Sequence, residues 1–256
     1  MVSVAGIIPA RLDSSRLPGK LLLAESGKPL IQHTWESANK STSLQQLLVA
    51  TESESIANVV RGFGGVSVIT NNYLTGTDRV ASLVRQGSIT SEIVVNIQGD
   101  EPEIPIAAID GVVSLLLDHP NAAMSTVATP IRDAHELRST DCVKVVLDAK
   151  GRALYFSRLP IPFLRDEDVE KSLKSEEFRW LRHVGLYAYR SSFLVEFAKR
   201  PSCMIENAEK LEQLRALEMG AEVRVVIVDK CFDGIDTRQD YERFVWRQKS
   251  RMREVE

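Results

Sequence analysis

Residues 2–20 read VSVAGIIPARLDSSRLPGK, and the change of character inside this stretch decides the fold. Val2–Ile8 is an apolar run without polar alternation, the pattern of a strand buried on both faces. From Pro9 to Lys20 the chain turns small, polar and basic, with Arg11, Arg16 and Lys20 separated by Ser, Leu and Pro-Gly. A loop at the carboxyl end of a buried parallel strand is where open α/β sheets bind their ligands. Cations gathered there make an electropositive clamp whose backbone amides can also face an anion, and a polyphosphate is the ligand that suits it. The competing reading is a solvated surface loop, since charge clusters are common on surfaces. G-x-x-x-x-G-K-[ST] is missing and no G-x-G-x-x-G follows the first strand, which removes P-loop kinases and dehydrogenases.

Outward from this stretch, short apolar runs alternate with amphipathic ones. Leu47–Thr51, Val66–Ile69 and Ile93–Ile97 are expected as further buried strands. Helices are expected at about Pro29–Asn39, Glu52–Gly62, Thr77–Gln86 and Pro105–Asp118, with Pro29 and Pro105 where a first helical turn tolerates proline. This alternation predicts an α/β fold with a mixed, mostly parallel sheet flanked by helices. The second half is less regular. Ala122–Ala128, Val143–Leu147, Arg152–Phe156, His183–Tyr189 and Val223–Val228 read as strands, and Asp148–Gly151 as the turn of a hairpin, hence an antiparallel part. Pro160–Lys174 reads as a charged loop, Glu206–Met219 as one helix ended by Gly220, and Asp236–Gln248 as a closing helix. The expectation is a single domain over 1–256, in which about 129–222 forms an inserted or appended extension.

The bulk numbers narrow the class. A chain of 256 residues can bury a core without staples, and a formal charge of −3 argues against a general nucleic-acid binder. Cys142, Cys203 and Cys231 form no C-x-x-C pair, so neither a disulfide framework nor a zinc cluster is expected. No apolar stretch reaches membrane length, and the expected location is the cytoplasm. G-x-S-x-G is also missing, which disfavours serine-hydrolase chemistry.

Asp100 follows the strand Ile93–Ile97 within Gln98-Gly-Asp-Glu-Pro102. A carboxylate at that end of a strand, beside a phosphate clamp, suits magnesium, a hard cation often held by one or two carboxylates plus phosphate oxygens. Asp236, after the late strand, is the natural second ligand, although aspartate also serves turns and helix caps.

Ile8-Pro-Ala-Arg11 with Ser15-Arg-Leu-Pro-Gly-Lys20 resembles the nucleotide clamp of the CMP-Kdo synthetase family, the 3-deoxy-manno-octulosonate cytidylyltransferases. The resemblance continues in the family's order through Gly27–Leu30, Val49–Thr51, Gly76-Thr-Asp-Arg79, Val95–Pro102, Val143–Asp148, Leu154–Arg158, Arg182-His-Val-Gly-Leu-Tyr187, Glu209–Arg215 and Gly234–Thr237. It implies a nucleotidyltransferase, Rossmann-like fold with a small antiparallel sugar-side and dimerisation extension, and a homodimer. It implies transfer of a cytidylyl group from CTP to 3-deoxy-manno-octulosonate (Kdo), an acidic eight-carbon sugar, giving CMP-Kdo and pyrophosphate for lipopolysaccharide synthesis.

By the same resemblance, Pro9, Ala10, Arg11, Lys20, Thr75, Gly76, Thr77 and Gln98 contact the nucleotide. Arg16, Arg158, His183, Tyr187, Glu212 and Gln213 meet the sugar, Arg11, Arg16, Lys20 and Asp100 are catalytic, and Asp100 and Asp236 hold magnesium. The sequence departs from the family pattern at Leu22, Glu52, Tyr73, Thr75 and Met204, and Tyr73, Leu74 and Met204 bear on Kdo against an amino-substituted relative. The alternatives are another sugar nucleotidyltransferase, such as a sialic-acid cytidylyltransferase, and a non-catalytic nucleotide-sensing module on the same fold.

Overall fold

The computed structural model describes residues 2–14, 16–165, 168–173, 180–231 and 234–253, with residues 252 and 253 described by backbone alone. Ser15 of the clamp and Lys174, at the end of the expected Pro160–Lys174 loop, lie outside the described residues. The first half alternates as its periodicity predicts: β1 (Val4–Ala10), α1 (Leu30–Ala38), β2 (Gln46–Thr51), α2 (Glu54–Gly62), β3 (Ser67–Ile69), α3 (Gly76–Arg85), β4 (Ile93–Asn96) and α4 (Ile106–Asp118). The second half holds β5 (Met124–Pro130), α5 (Ala134–Arg138), β6 (Lys144–Leu147), β7 (Ala153–Ser157), α6 (Val169–Ser172), β8 (Leu181–Arg190) and α7 (Ser191–Lys199). It closes with α8 (Met204–Glu209), α9 (Gln213–Glu218), β9 (Val223–Ile227) and α10 (Arg238–Arg253).

Among the described residues the strands form one nine-stranded open sheet in the order β3-β2-β1-β4-β8-β5-β9, with β6 pairing β7 and β8. β3, β2, β1 and β4 are mutually parallel, and β8 runs antiparallel between β4 and β5. The chain winds outward from β1 to β3 and then crosses back to β4 on the other side of β1. That reversal leaves a crevice beyond the carboxyl ends of β1 and β4, the usual ligand position in such sheets.

Both sheet faces are covered. Leu30 and Ile31 of α1, Val112 of α4 and Phe244 of α10 pack with Ile8 and Val95 on one face. Val80 of α3, Phe197 of α7 and Leu214 of α9 pack with Ile7 and Val94 on the other. The buried, unalternating runs of β1 and β4 follow from this double cover.

Three differences from the sequence expectation have physical causes. The stretch Glu206–Met219 is two helices, because Lys210 takes a left-handed φ of 54° and breaks it. Glu206 and Arg215, nine positions apart, form a bidentate pair at 2.7 and 2.8 Å, whereas that spacing spans about 13.5 Å along a continuous helix. Inside the expected Pro160–Lys174 loop, Asp168 caps the short α6 by accepting from the amides of Glu170 and Lys171. The closing helix starts at Arg238, and the Asp240 carboxylate accepts the Thr237 amide at 2.8 Å, so Asp236 stands just outside the helix. The expected hairpin of β6 and β7 forms, its turn held by Asp148 Oδ1 accepting from the amides of Lys150 and Arg152.

Candidate active site

The clamp leaves β1 at Ala10 and is anchored at its far end by apolar side chains. Leu17 and Leu21 are buried, while Arg11 and Arg16 stand in solvent. Gly19 adopts a φ of 64°, which glycine reaches without a Cβ penalty, and so turns the chain into the single helical turn Lys20–Leu22. This turn aims Lys20 across the crevice. Its ammonium donates to Asp100 Oδ2 at 2.5 Å, the Ile235 carbonyl at 2.8 Å and Asp236 Oδ1 at 3.1 Å. Arg16 Nη2 lies 2.9 Å from Asp236 Oδ2.

Two loops bring those carboxylates together. Asp100 follows β4, where the Ile97 amide still donates to Ile7 and the Thr34 hydroxyl donates to the Gly99 carbonyl at 2.8 Å. Asp236 arrives from the far end of the chain, and the Ile235 amide donates to the Asp100 carbonyl at 2.9 Å. The aspartates are thus fixed relative to each other by main chain, and their oxygens converge with the Ile235 carbonyl on one cation. Three hard oxygen donors around a point of positive charge are a donor set that fits magnesium.

The other wall is the start of α3. Thr75 caps it, accepting the Asp78 amide at 3.0 Å. A Cβ on Gly76 would stand 3.1 Å from the Pro9 ring, so glycine lets the helix start lie against the clamp. Pro9, Ala10, Arg11, Arg16, Lys20, Thr75, Gly76, Gln98, Asp100 and Asp236 line one cleft, together with Tyr73, Leu74 and Arg79. Thr77 lies beneath it, buried, and donates from Oγ1 to Glu212 Oε2 at 2.8 Å.

That hydrogen bond leads into a second, largely buried cluster against β8. Gly185 separates His183 from Tyr187, and the position of its missing Cβ lies 3.8 Å from Glu101 Oε1 and 3.9 Å from Gln98 Cγ. Strand β8 therefore abuts the Gln98–Glu101 loop. The His183 ring packs edge-on to Phe156 and tilted against Tyr187, centroids 5.0 and 5.5 Å away. Loss of water around the ring pushes its pKa down to about 3, so it is neutral near pH 7. Thr126 Oγ1 lies 2.9 Å from His183 Nε2 and 2.8 Å from the Leu186 carbonyl. A hydroxyl has one proton; with it directed to Leu186, Nε2 donates and Nδ1 remains an acceptor.

Tyr187 donates to Gln213 Oε1 at 3.3 Å, and burial raises its phenol pKa, keeping it protonated. Burial also pushes the Glu212 carboxyl up, and the Thr77 hydroxyl and Arg215 offset only part of that. Gln213 Nε2 and, beside Tyr187 in register, Asn96 Oδ1 are buried with no protein partner. An unused donor and an unused acceptor mark places that water or a ligand hydroxyl satisfies.

Arg158 stands apart from the cleft lining. Its guanidinium donates to the carbonyls of Glu209 at 2.7 Å and Thr140 at 2.8 Å, which closes the end of α8. Sequence reasoning did not single out Arg79 and Glu52 as members of this site, nor Asn96. Arg79 closes the Gly76-Thr-Asp-Arg79 motif and Glu52 departs from the family pattern, but their pairing joins two segments that are distant in the chain.

A cytidylyltransferase family model matches residues 5–225. Among curated relatives, the 3-deoxy-manno-octulosonate cytidylyltransferase of Geobacter sulfurreducens is 46% identical over 246 residues, covering 94% of this chain and 98% of that one. The enzyme of the same name from Pelobacter propionicus is 45% identical over 243 residues, covering 93% and 94%. A solved structure of CMP:2-keto-3-deoxy-manno-octonic acid synthetase complexed with CTP superposes with a TM-score of 0.90 at 36% identity, covering 97% of this chain and 99% of that one.

Proposed function

The chain belongs to the cytidylyltransferase family, and on that premise we propose that it transfers the cytidylyl group of CTP to 3-deoxy-manno-octulosonate, releasing pyrophosphate. The observation that carries this reading is the meeting of Arg11, Arg16 and Lys20 with Asp100 and Asp236 in one cleft, backed by a largely buried polar cluster. The cations suit a polyphosphate, the cluster suits the hydroxyls of a sugar, and the two lie side by side at Gln98 and Gly185.

In the reaction a sugar hydroxyl oxygen attacks the α-phosphorus of CTP while the bond to the bridging oxygen of pyrophosphate breaks. Positioning and charge neutralisation supply most of the catalysis in transfers of this type. Arg11 and Arg16, exposed to solvent, offset the phosphate charge as it moves toward the leaving group. Lys20 leaves or shares its carboxylate partners to do the same. Thr75, Gly76 and Gln98 offer a tight wall of small and amide groups for a pyrimidine. On the sugar side, neutral His183 accepts through Nδ1, Tyr187 donates, and Gln213 Nε2 is available to an acceptor hydroxyl.

Asp100, Asp236 and the Ile235 carbonyl are the groups that would hold magnesium, supported by their convergence on the Lys20 ammonium. When bound, the ion supplies Lewis-acid polarisation of the α-phosphate and neutralises negative charge. The same reading includes a homodimer. Leu154 of β7, Leu159 and Phe163 are exposed apolar side chains near the β6–β7 hairpin, a surface that supports pairing and that light scattering tests. No helix among the described residues is long and apolar enough to cross a membrane.

The test is pyrophosphate release in the presence of magnesium, with CTP and Kdo each omitted in turn and each replaced. The expected result is turnover that needs both, with ATP, GTP or a sialic acid far less effective. Equal rates with all nucleotides, or release that does not need the sugar, would overturn the assignment.

A further inference from the structure

The two walls of the cleft are joined by a side-chain contact that the chemistry above leaves unused. Glu52 stands just past β2. Its Oε1 accepts the backbone amide of Leu12 at 3.2 Å, in the clamp between Arg11 and Arg16. Its Oε2 faces Nη2 of Arg79 on α3, close enough for an ion pair but off the hydrogen-bonding direction. Arg79 is 2% exposed, and its Nη1 donates to Thr70 Oγ1 and to the Asn71 carbonyl at 3.4 Å. Asn71 opens the loop that carries Tyr73, Leu74 and Thr75 into the cleft. One carboxylate and one guanidinium therefore tie the phosphate-side loop, the end of β2, the opposite loop and the start of α3 into a single knot.

We infer that Glu52 and Arg79 are a positioning pair that sets the spacing between the phosphate clamp and the base wall, so that one nucleoside triphosphate engages both. This rests on the proposed function, in which CTP occupies the cleft. The physical reason is the same as for any two-point ligand. Its second contact forms at an effective concentration set by the distance and stiffness between the two subsites, without any further contact being made. A nearly buried charge pair is a stiff spacer, because separating it leaves an uncompensated charge in a poorly hydrated place. Although Arg79 lines the cleft, its charge is met by Glu52 and its donors are turned to residues 70 and 71, which suits a spacer better than a phosphate ligand.

The experiment measures binding of CTP, cytidine and tripolyphosphate to the whole chain by calorimetry, weak fragments being read by competition against CTP. Glu52→Gln keeps size and an acceptor for Leu12 but removes the charge that holds Arg79. It is expected to weaken CTP by about tenfold or more, while cytidine and tripolyphosphate each change by less than about threefold. Arg79→Lys keeps the charge, but one ammonium cannot serve Glu52, Thr70 and Asn71 together, and a thermal melt checks that the variant is folded. The same selective loss is expected, at about threefold or more for CTP. Glu52→Asp, which keeps the carboxylate, should stay within about threefold of the parent for all three ligands. CTP affinity within twofold of the parent in Glu52→Gln, or in Arg79→Lys should the first variant not fold, overturns the pair as a spacer. So does a loss that appears in full in one fragment. Failure of the parent chain to bind CTP would instead sink the functional reading and leave a different signature.

Discussion

The cleft at the ends of β1 and β4 and the cluster against β8 treat polarity in opposite ways. At the mouth of the cleft, full charges sit within reach of water; the side chains of Arg16 and Asp236 are 65% and 43% exposed. A few residues away, His183 is held neutral, Tyr187 protonated, and Glu212 is pushed above the usual carboxylate range, each mainly by burial. Groups that must exchange one charged partner for another are best left hydrated, because a fully desolvated ion is costly whenever its partner leaves. Groups that read hydroxyls gain from being dry, where a hydrogen bond is stronger and its direction discriminates.

The most damaging way to break this contrast is to remove the frame of the buried cluster. Arg215→Met leaves Glu206 buried and unpaired between α8 and α9, and should cost about 3–5 kcal/mol in denaturant unfolding. A loss under about 1 kcal/mol would mean that the kink at Lys210, and the placement of Glu212 and Gln213 beyond it, does not depend on this pair. On the open side, Asp100→Asn keeps shape and removes charge. Turnover should fall by about a hundredfold or more, roughly 3 kcal/mol in the barrier, with the thermal melt little changed. Retention of more than about half the parent rate in a magnesium titration of pyrophosphate release would remove Asp100 from the metal-holding role.

A third variant sharpens the comparison through pH. The folded-state pKa of His183 lies at about 3, well below its unfolded value near 6.5. Between those values the unfolded chain binds the extra proton, so stability is fully present above about pH 6.5 and declines as pH falls toward 3. His183→Asn should flatten that decline, by on the order of 1–2 kcal/mol at pH 5, in melts taken from pH 4 to 7. Identical acid profiles would show that the ring is hydrated after all. The smallest effect is expected from Tyr187→Phe, which deletes the 3.3 Å hydrogen bond to Gln213 and one donor. The KM for the sugar should rise about fivefold, near 1 kcal/mol, with the KM for CTP unchanged. A shift in the CTP value instead would place the phenol on the nucleotide side.

Much of the architecture was legible because its causes are local. The apolar runs of β1, β2 and β4 are buried on both faces, and nothing polar interrupts them. The Asp148–Gly151 turn carries its own hydrogen bonds, and the clamp announces itself by charge and by Pro-Gly. The segments around Asp100 and Asp236 could be picked out as carboxylates after strands, and the motif order named the family that the comparisons bear out.

What the sequence by itself determined, then, is the buried-strand pattern, the cationic loop and a set of candidate residues for the chemistry, all written in short windows of the chain. Tertiary structure alone decided how those windows meet. Lys20 finds Asp236 across 216 positions, and Glu52 finds Arg79 from the end of another strand. The break at Lys210 has no glycine or proline to signal it, because its cause is a side-chain pair that a straight helix could not form. The neutrality of His183 comes from Phe156, Tyr187 and Thr126 packed around it, a desolvation that no local window contains. Propensity and pattern act over a turn or a strand, whereas ion pairing, desolvation and proton placement depend on distances that exist only once the sheet has closed its layers.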